Sequence, residues 1–222
     1  MIRFADRRDA GRRLAESVAR LDLGDAVVLG LPRGGVPVAD EVARVLGAPL
    51  DVLVVRKLGL PSRPEVAMGA VGEEDAEIVN EDVVGLGRVT PEEFAGVERR
   101  ERAELAARVR RFRGDRPPVP LAGRTAVVVD DGVATGATAR VACRVARERG
   151  AVRVVLAVPV ASPRALEGIP EVDEAVCLEA PPGFMSVGMH YLDFRQTEDR
   201  EVSDILARAH ARRRGRDDSP TP

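Results

Sequence analysis

Two adjacent carboxylates, Asp130 and Asp131, carry the most chemistry in this sequence. They close an apolar run and open a turn within TAVVVDDGVATGATARVA, residues 125–142. An ionised carboxylate only accepts hydrogen bonds, so a side-by-side pair at a strand end suits the vicinal hydroxyls of a sugar. The same oxygens suit a hard cation such as Mg2+ and its waters. Gly132-Val133-Ala134 then leads into Thr135-Gly136-Ala137-Thr138, which runs directly into a helical pattern. Successive backbone N–H groups at a helix N-terminus, beside two threonine hydroxyls, form a cradle for a phosphate monoester. Gly136 lets the phosphate approach the backbone closely. The stretch therefore reads as a sugar-phosphate site. A receiver domain would explain the acidic pair but not Thr135 to Thr138. A P-loop needs a Gly-Lys-Ser/Thr ending, and the sequence has none.

Three further segments hold unusual groups. Leu31-Pro32-Arg33-Gly34-Gly35 is a Gly-rich turn after an apolar run; taken alone it is an ordinary strand–helix turn. Arg56 and Lys57 end a second apolar run, and Lys57 is the one lysine among 34 Lys plus Arg. In so arginine-biased a chain, chance aside, it marks a place where an ammonium point charge serves and a planar guanidinium does not. Residues 181–196 gather Phe184, Met185, His190, Tyr191, Asp193 and Phe194 in a chain with only 3% aromatics. They read either as a stacking surface for a flat ring or as a small satellite core. Cys143 and Cys177 sit in apolar stretches and read as core residues of a protein in a reducing compartment.

The elements that must position these groups alternate between strand and helix, which implies α/β architecture with a mainly parallel sheet. Asp6 caps a first helix reaching about Leu21, with Ala10, Leu14, Val18 and Leu21 on one face. Ala26–Gly30 and Leu50–Val55 read as buried strands, with a helix between them ending near Gly47. Residues 58–65, with two prolines and a glycine, read as a loop, and 67–72 with 77–79 as a short hairpin. Thr90-Pro91-Glu92-Glu93 starts a helix with a capping box. It runs to about Arg113 with Phe94, Val97, Leu105, Val109 and Phe112 on one face and a charged face read as solvated. Strands at 125–129, 152–158 and 172–178 and helices at 136–149 and 198–208 complete the pattern. This is one domain over residues 1–210, followed by a disordered polar tail at 211–222.

Net charge is −2, without the basic footprint of a nucleic-acid binder. No apolar run reaches the roughly 18 residues of a membrane span, and no apolar signal segment follows the charged N-terminus. The expectation is a cytoplasmic enzyme with no nucleic-acid or membrane partner.

The stretch 125–142 resembles the binding motif for 5-phosphoribosyl 1-diphosphate (PRPP) in the type I phosphoribosyltransferases. That resemblance extends over about residues 3–208. It looks closest to a bacterial branch of phosphoribosyltransferase-domain proteins sometimes fused to hydrolase domains. It implies that Ala134, Thr135, Gly136, Ala137 and Thr138 hold the 5-phosphate, while Asp130 and Asp131 fix the ribose near Mg2+, the implied cofactor. By the same resemblance Arg33, Gly34 and Gly35, with Arg56 and Lys57, meet the diphosphate. A non-proline cis peptide is expected around Pro32–Arg33, and residues 58 to about 76 take the place of a mobile loop with Arg63 and Glu65 as contacts. A hood from about 1–25 and 180–210 would hold a small nitrogen-containing acceptor, with Phe184, Tyr191 and Asp193 as its candidate residues. The implied reaction is phosphoribosyl transfer with release of diphosphate, so the catalytic set is Asp130, Asp131, Lys57 and Arg33. The alternative is a non-catalytic PRPP- or nucleotide-binding protein, regulatory or accessory to a hydrolase. A homodimer is one assembly the resemblance allows.

Overall fold

A computed structural model of the protein describes residues 3–167 and 169–217, with side chains described through Arg213. The first helix, α1 (Arg7–Val18), is capped by Asp6, whose carboxylate accepts from the Asp9 N–H. Strand β1 (Ala26–Gly30) leads through the Gly-rich turn into α2 (Gly35–Leu46), which ends on Gly47 at φ 63°. Strand β2 is short (Leu50–Val52). Next come β3 (Val55–Leu60), β4 (Arg63–Gly72), β5 (Glu77–Val79) and α3 (Glu81–Leu86). The long α4 (Pro91–Arg113) begins with the expected Thr90/Glu93 capping box. After it, β6 (Thr125–Val129), α5 (Ala137–Glu148), β7 (Arg153–Val160), α6 (Pro163–Glu167), β8 (Glu174–Glu179) and α7 (Asp199–Asp217) finish the chain. Among the described residues no helix is long and apolar enough to cross a membrane.

Five parallel strands form the main sheet in the order β2-β1-β6-β7-β8. Alternate residues of its central strands serve two cores. Val27, Leu29, Val128 and Leu156 pack with Ala139, Ala142, Cys143 and Ala146 of α5. Val28, Val127, Val129 and Val155 pack on the other face with Leu14 and Val18 of α1 and Val38 and Val42 of α2. Cover on both faces is why these strands read as unbroken apolar runs. The chain leaves β1 toward β2 on one side and leaves β6 toward β7 on the other. The crevice above the carboxyl ends of β1 and β6 is therefore the switch point where open α/β sheets bind ligands.

Four expectations need correction. The second core strand stops at Val52; Val55 begins a separate antiparallel sheet, β3-β4-β5. Arg56 and Lys57 therefore belong to β3 and do not end a core strand. Residues 58–65 are not a loop but the paired end of β3, a turn and the start of β4. Leu58 lies opposite Gly69, Gly59 opposite Ala67 and Leu60 opposite Arg63, so residues 64–66 form a bulge. That bulge absorbs Pro64, which a regular ladder would reject. Helix α7 takes in residues 211–217 of the expected tail, and residues 218–222 lie outside the described residues. The charged face of α4 is only partly solvated, because Glu101 and Arg113 are buried.

Arg113 ties the two sheets together. It donates to Asp51 Oδ1 at the edge of the main sheet (2.9 Å), to the Val52 carbonyl (3.1 Å) and to both carboxylate oxygens of Glu73 at the end of β4. Asp51 in turn accepts from the Val119 N–H.

Candidate functional site

The acidic pair stands at the carboxyl end of β6. Val133 then bridges to the end of β7: its N–H donates to the Val160 carbonyl (2.9 Å) and its carbonyl accepts from Ser162 (2.8 Å). This fixes the path from the acids to the turn at 134–138. Gly136 takes φ 79° and starts α5 with no side chain capping the helix. Thr135, Ala137 and Thr138 are exposed, as is Ala134. An uncapped helix start with open first-turn residues is a ready anion cradle.

The turn after β1 lies directly against the acids. It contains a cis peptide bond at Pro32–Arg33, where the resemblance placed one. A Cβ on Gly34 would fall 2.0 Å from Asp131 Oδ2, and one on Gly35 would fall 2.6 Å from the Val129 carbonyl and 3.0 Å from Asp130 Oδ1. Only glycine permits this approach. Arg33 reaches outward to Asp199 at 3.4 Å, which also receives Arg111 at 2.6 Å.

The two carboxylates differ in their surroundings. Asp130 Oδ1 accepts from the Asp131 N–H (2.9 Å), whereas Asp131 Oδ2 receives Arg7 Nε at 2.7 Å. Burial, then the charge of Asp131, pushes the Asp130 carboxyl well above the usual range. Burial also raises Asp131, and Arg7 opposes that rise. Sequence reasoning missed Arg7, and no local pattern marks it, because its partner lies far along the chain.

Arg56 and Lys57 stand apart from this cluster. Arg56 donates through Nε and Nη2 to Glu101 Oε2 at 3.0 and 2.6 Å, which commits it to α4. Lys57 is exposed on the β3–β4 hairpin and donates to the Glu65 carbonyl (2.8 Å). Arg63 and Glu65 lie on the exposed part of the same hairpin.

N- and C-terminal segments meet over the acids. Phe4 donates to the His190 carbonyl, and Leu192 and Asp193 donate back to Phe4 and Ala5. Phe184 stacks on buried His190 with centroids 5.8 Å apart, and Tyr191 packs on Phe4 at 5.4 Å while donating its hydroxyl to the Asp131 carbonyl (2.6 Å). Of the two readings, Phe184 and Tyr191 follow the satellite core. Asp193 is held by Arg195 (2.7 Å), whose hydrogen bonds keep its carboxyl below the usual range. Phe194 is the most exposed ring of the hood, at 37%, yet it packs on Tyr191 with centroids 4.9 Å apart and carries the Arg7 guanidinium 4.0 Å from its centroid. Exposed Met185, Met189 and Leu192 accompany it. A polar cleft of about 460 Å3 opens beside Arg7, with Arg8, Pro37, Arg195 and Glu201 in its walls.

Among the described residues no three His, Cys, Asp or Glu side chains gather as a metal cage. The hard oxygens of Asp130 and Asp131 fit a Mg2+ ion that brings further oxygen ligands with it, as a polyphosphate complex does.

The phosphoribosyl transferase domain family model matches residues 5–179. Two curated Mycobacterium tuberculosis proteins, "Putative phosphoribosyl transferase MT0597" and "Putative phosphoribosyl transferase Rv0571c", are each 53% identical over 208 residues. The match takes in 93% of this chain and 47% of each relative, so the chain spans about half the length of the curated relatives it matches. The crystal structure of TT1426 from Thermus thermophilus is 48% identical and matches with a TM-score of 0.83, over 93% of this chain and 99% of that one. With an acidic pair, a Gly-rich turn and an open helix start at one switch point, this chain belongs to the phosphoribosyl transferase domain family.

Proposed function

We propose that the protein binds PRPP·Mg2+ in the cytoplasm and transfers its phosphoribosyl group to a nitrogen nucleophile of a nucleobase-like acceptor. The carrying observation is the contact between the Gly34–Gly35 turn and Asp130–Asp131, immediately ahead of the uncapped start of α5. Backbone N–H groups of 134–138 and the hydroxyls of Thr135 and Thr138 hold the 5-phosphate. Asp130 and Asp131 accept from the ribose hydroxyls and favour positive charge on the sugar as the transition state forms. Gly34 offers its N–H group to the diphosphate, whereas the Gly35 N–H already donates to the Leu31 carbonyl (3.0 Å). Arg33 is a cationic contact, and Lys57 becomes one only when the hairpin that carries it closes. Asp130 and Asp131 would hold a Mg2+ ion brought in with PRPP, which would supply charge neutralisation for the diphosphate. A C–N bond forms at the anomeric carbon while the C–O bond to diphosphate breaks. The bonding pair leaves with diphosphate, and the nitrogen's proton passes to a diphosphate oxygen, which carries it out when the product departs. Closure of the β3–β4 hairpin would exclude water from this step.

A second reading, PRPP or nucleotide binding without turnover, is favoured by one observation. Phe184 and Tyr191 are spent on packing, and Phe194 is engaged by Tyr191 and Arg7, which leaves the hood only the partly exposed edge of one ring for an acceptor. One experiment separates the two. Diphosphate release is measured from PRPP·Mg2+ across purine and pyrimidine bases, with calorimetric titration of PRPP alongside. We expect saturable binding and release with one acceptor class. Binding without release selects the second reading, and the absence of both overturns the site.

A further inference from the structure

We infer that Arg7 is a positioning residue of the ribose site, holding Asp131 in register with the hood segment Phe194–Arg195. The inference rests on the ribose reading of the acidic pair. Arg7 and Asp131 side chains are only 12% and 15% exposed, so their ion pair is not a surface contact screened by water. Three separate contacts pin the guanidinium. Nε donates to Asp131 Oδ2 (2.7 Å), Nη1 donates to the Arg195 carbonyl (2.7 Å), and the plane lies 4.0 Å over the Phe194 ring. Asp6 secures the helix start that carries Arg7, through its cap to Asp9.

A second tie from the same hood segment reaches the same residue. The Tyr191 hydroxyl donates to the Asp131 carbonyl. Asp131 is thus held by its side chain through Arg7 and by its main chain through Tyr191. Gly34 completes the enclosure, since a Cβ there would also come within 3.1 Å of Arg7 Nε. With Oδ2 occupied by Arg7, the Asp131 carboxylate cannot swing freely, and Oδ1 is the oxygen left to accept from the sugar. A lysine could supply the charge but not two N–H donors on separate nitrogens held in one plane, nor the flat face over Phe194.

The test separates the sugar contribution from the phosphate contribution. Wild type, Arg7→Gln and Arg7→Lys are titrated calorimetrically with inorganic phosphate, ribose 5-phosphate and PRPP·Mg2+, after thermal unfolding confirms that each variant is folded. Inorganic phosphate reports anion binding without the sugar. Its affinity is expected to stay within about twofold in all three proteins, while ribose 5-phosphate and PRPP weaken by about tenfold in both variants, the scale of one lost charge-assisted hydrogen bond. Equal or tighter ribose 5-phosphate binding in Arg7→Gln overturns the inference and makes Arg7 a competitor for Asp131. A parallel loss of phosphate affinity also overturns it, as a purely structural role would produce. Full recovery in Arg7→Lys overturns it as well, because charge alone would then suffice. If wild type binds neither sugar phosphate, the ribose reading itself fails, and that result is distinct from the others.

Discussion

Replacing Asp130 and Asp131 together by Asn is expected to lower PRPP turnover at least about 100-fold in a protein that remains folded. Asn keeps the size of Asp and an oxygen to accept the Asp131 N–H, so the turn has little reason to move. What disappears is the negative charge proposed to face the ribose. The same carboxyl burdens stability. Burial and the neighbouring charge raise Asp130 above its ordinary range, so ionising it costs more in the folded state than in the unfolded chain. A raised group of this kind supports folding in acid, and the support is lost as pH rises through its folded value. Asp130→Asn alone should therefore melt higher than wild type at pH 7 to 8, by about 0.5–2 kcal/mol in metal-free buffer, and the gain should vanish near about pH 4. Thermal unfolding at the two pH values checks the sign. Full activity in the double variant would remove the acidic pair from the mechanism, and a lower melting point at neutral pH would mean that its charge is well satisfied in the fold.

Arg113→Ala should cost about 3–5 kcal/mol, read from urea or guanidinium unfolding. Arg113, Asp51 and Glu73 are 4%, 4% and 7% exposed, and the guanidinium is the cation between the two carboxylates. Burial disfavours its charge, yet the hydrogen bonds and fields of Glu73 and Asp51 outweigh burial and hold it protonated. Truncation strands two buried anions and the Val52 carbonyl at the junction of the sheets. Arg113→Met, which fills the space but also leaves the anions, should recover little. A loss under about 1 kcal/mol in the Ala variant would show that water reaches the junction.

The main sheet was legible because each central strand is apolar on both faces and each turn carries its own signal. Ala26–Gly30 and Thr125–Val129 read as strands with their observed bounds, and Gly47 and Thr90 marked helix ends through chemistry local to the chain. The turn at 31–35 and the acids at 130–131 were legible as motifs, and the structure brings them into contact. What was hidden depends on distant partners. Pro61 and Pro64 signal a loop, and only the bulge opposite Leu58–Leu60 reconciles Pro64 with a strand. Arg113 and Arg7 look like their many neighbouring arginines until Asp51, Glu73 and Asp131 are folded against them. The aromatics at 184–194 were visible as a cluster, but which ring stays most exposed was decided by His190, Phe4 and the Asp131 carbonyl.

The solitary lysine has a practical consequence. A lysine-specific endoprotease finds one cleavable peptide bond in the sequence, Lys57–Leu58. That bond lies inside β3, where Lys57 is paired with Ala70 and Leu58 with Gly69, and Leu58 is buried. Cutting therefore requires the β3–β4 ladder to open, and at low protease the rate follows the population of open hairpin. A single-site digestion, with and without PRPP·Mg2+, turns the hairpin's opening into a band on a gel.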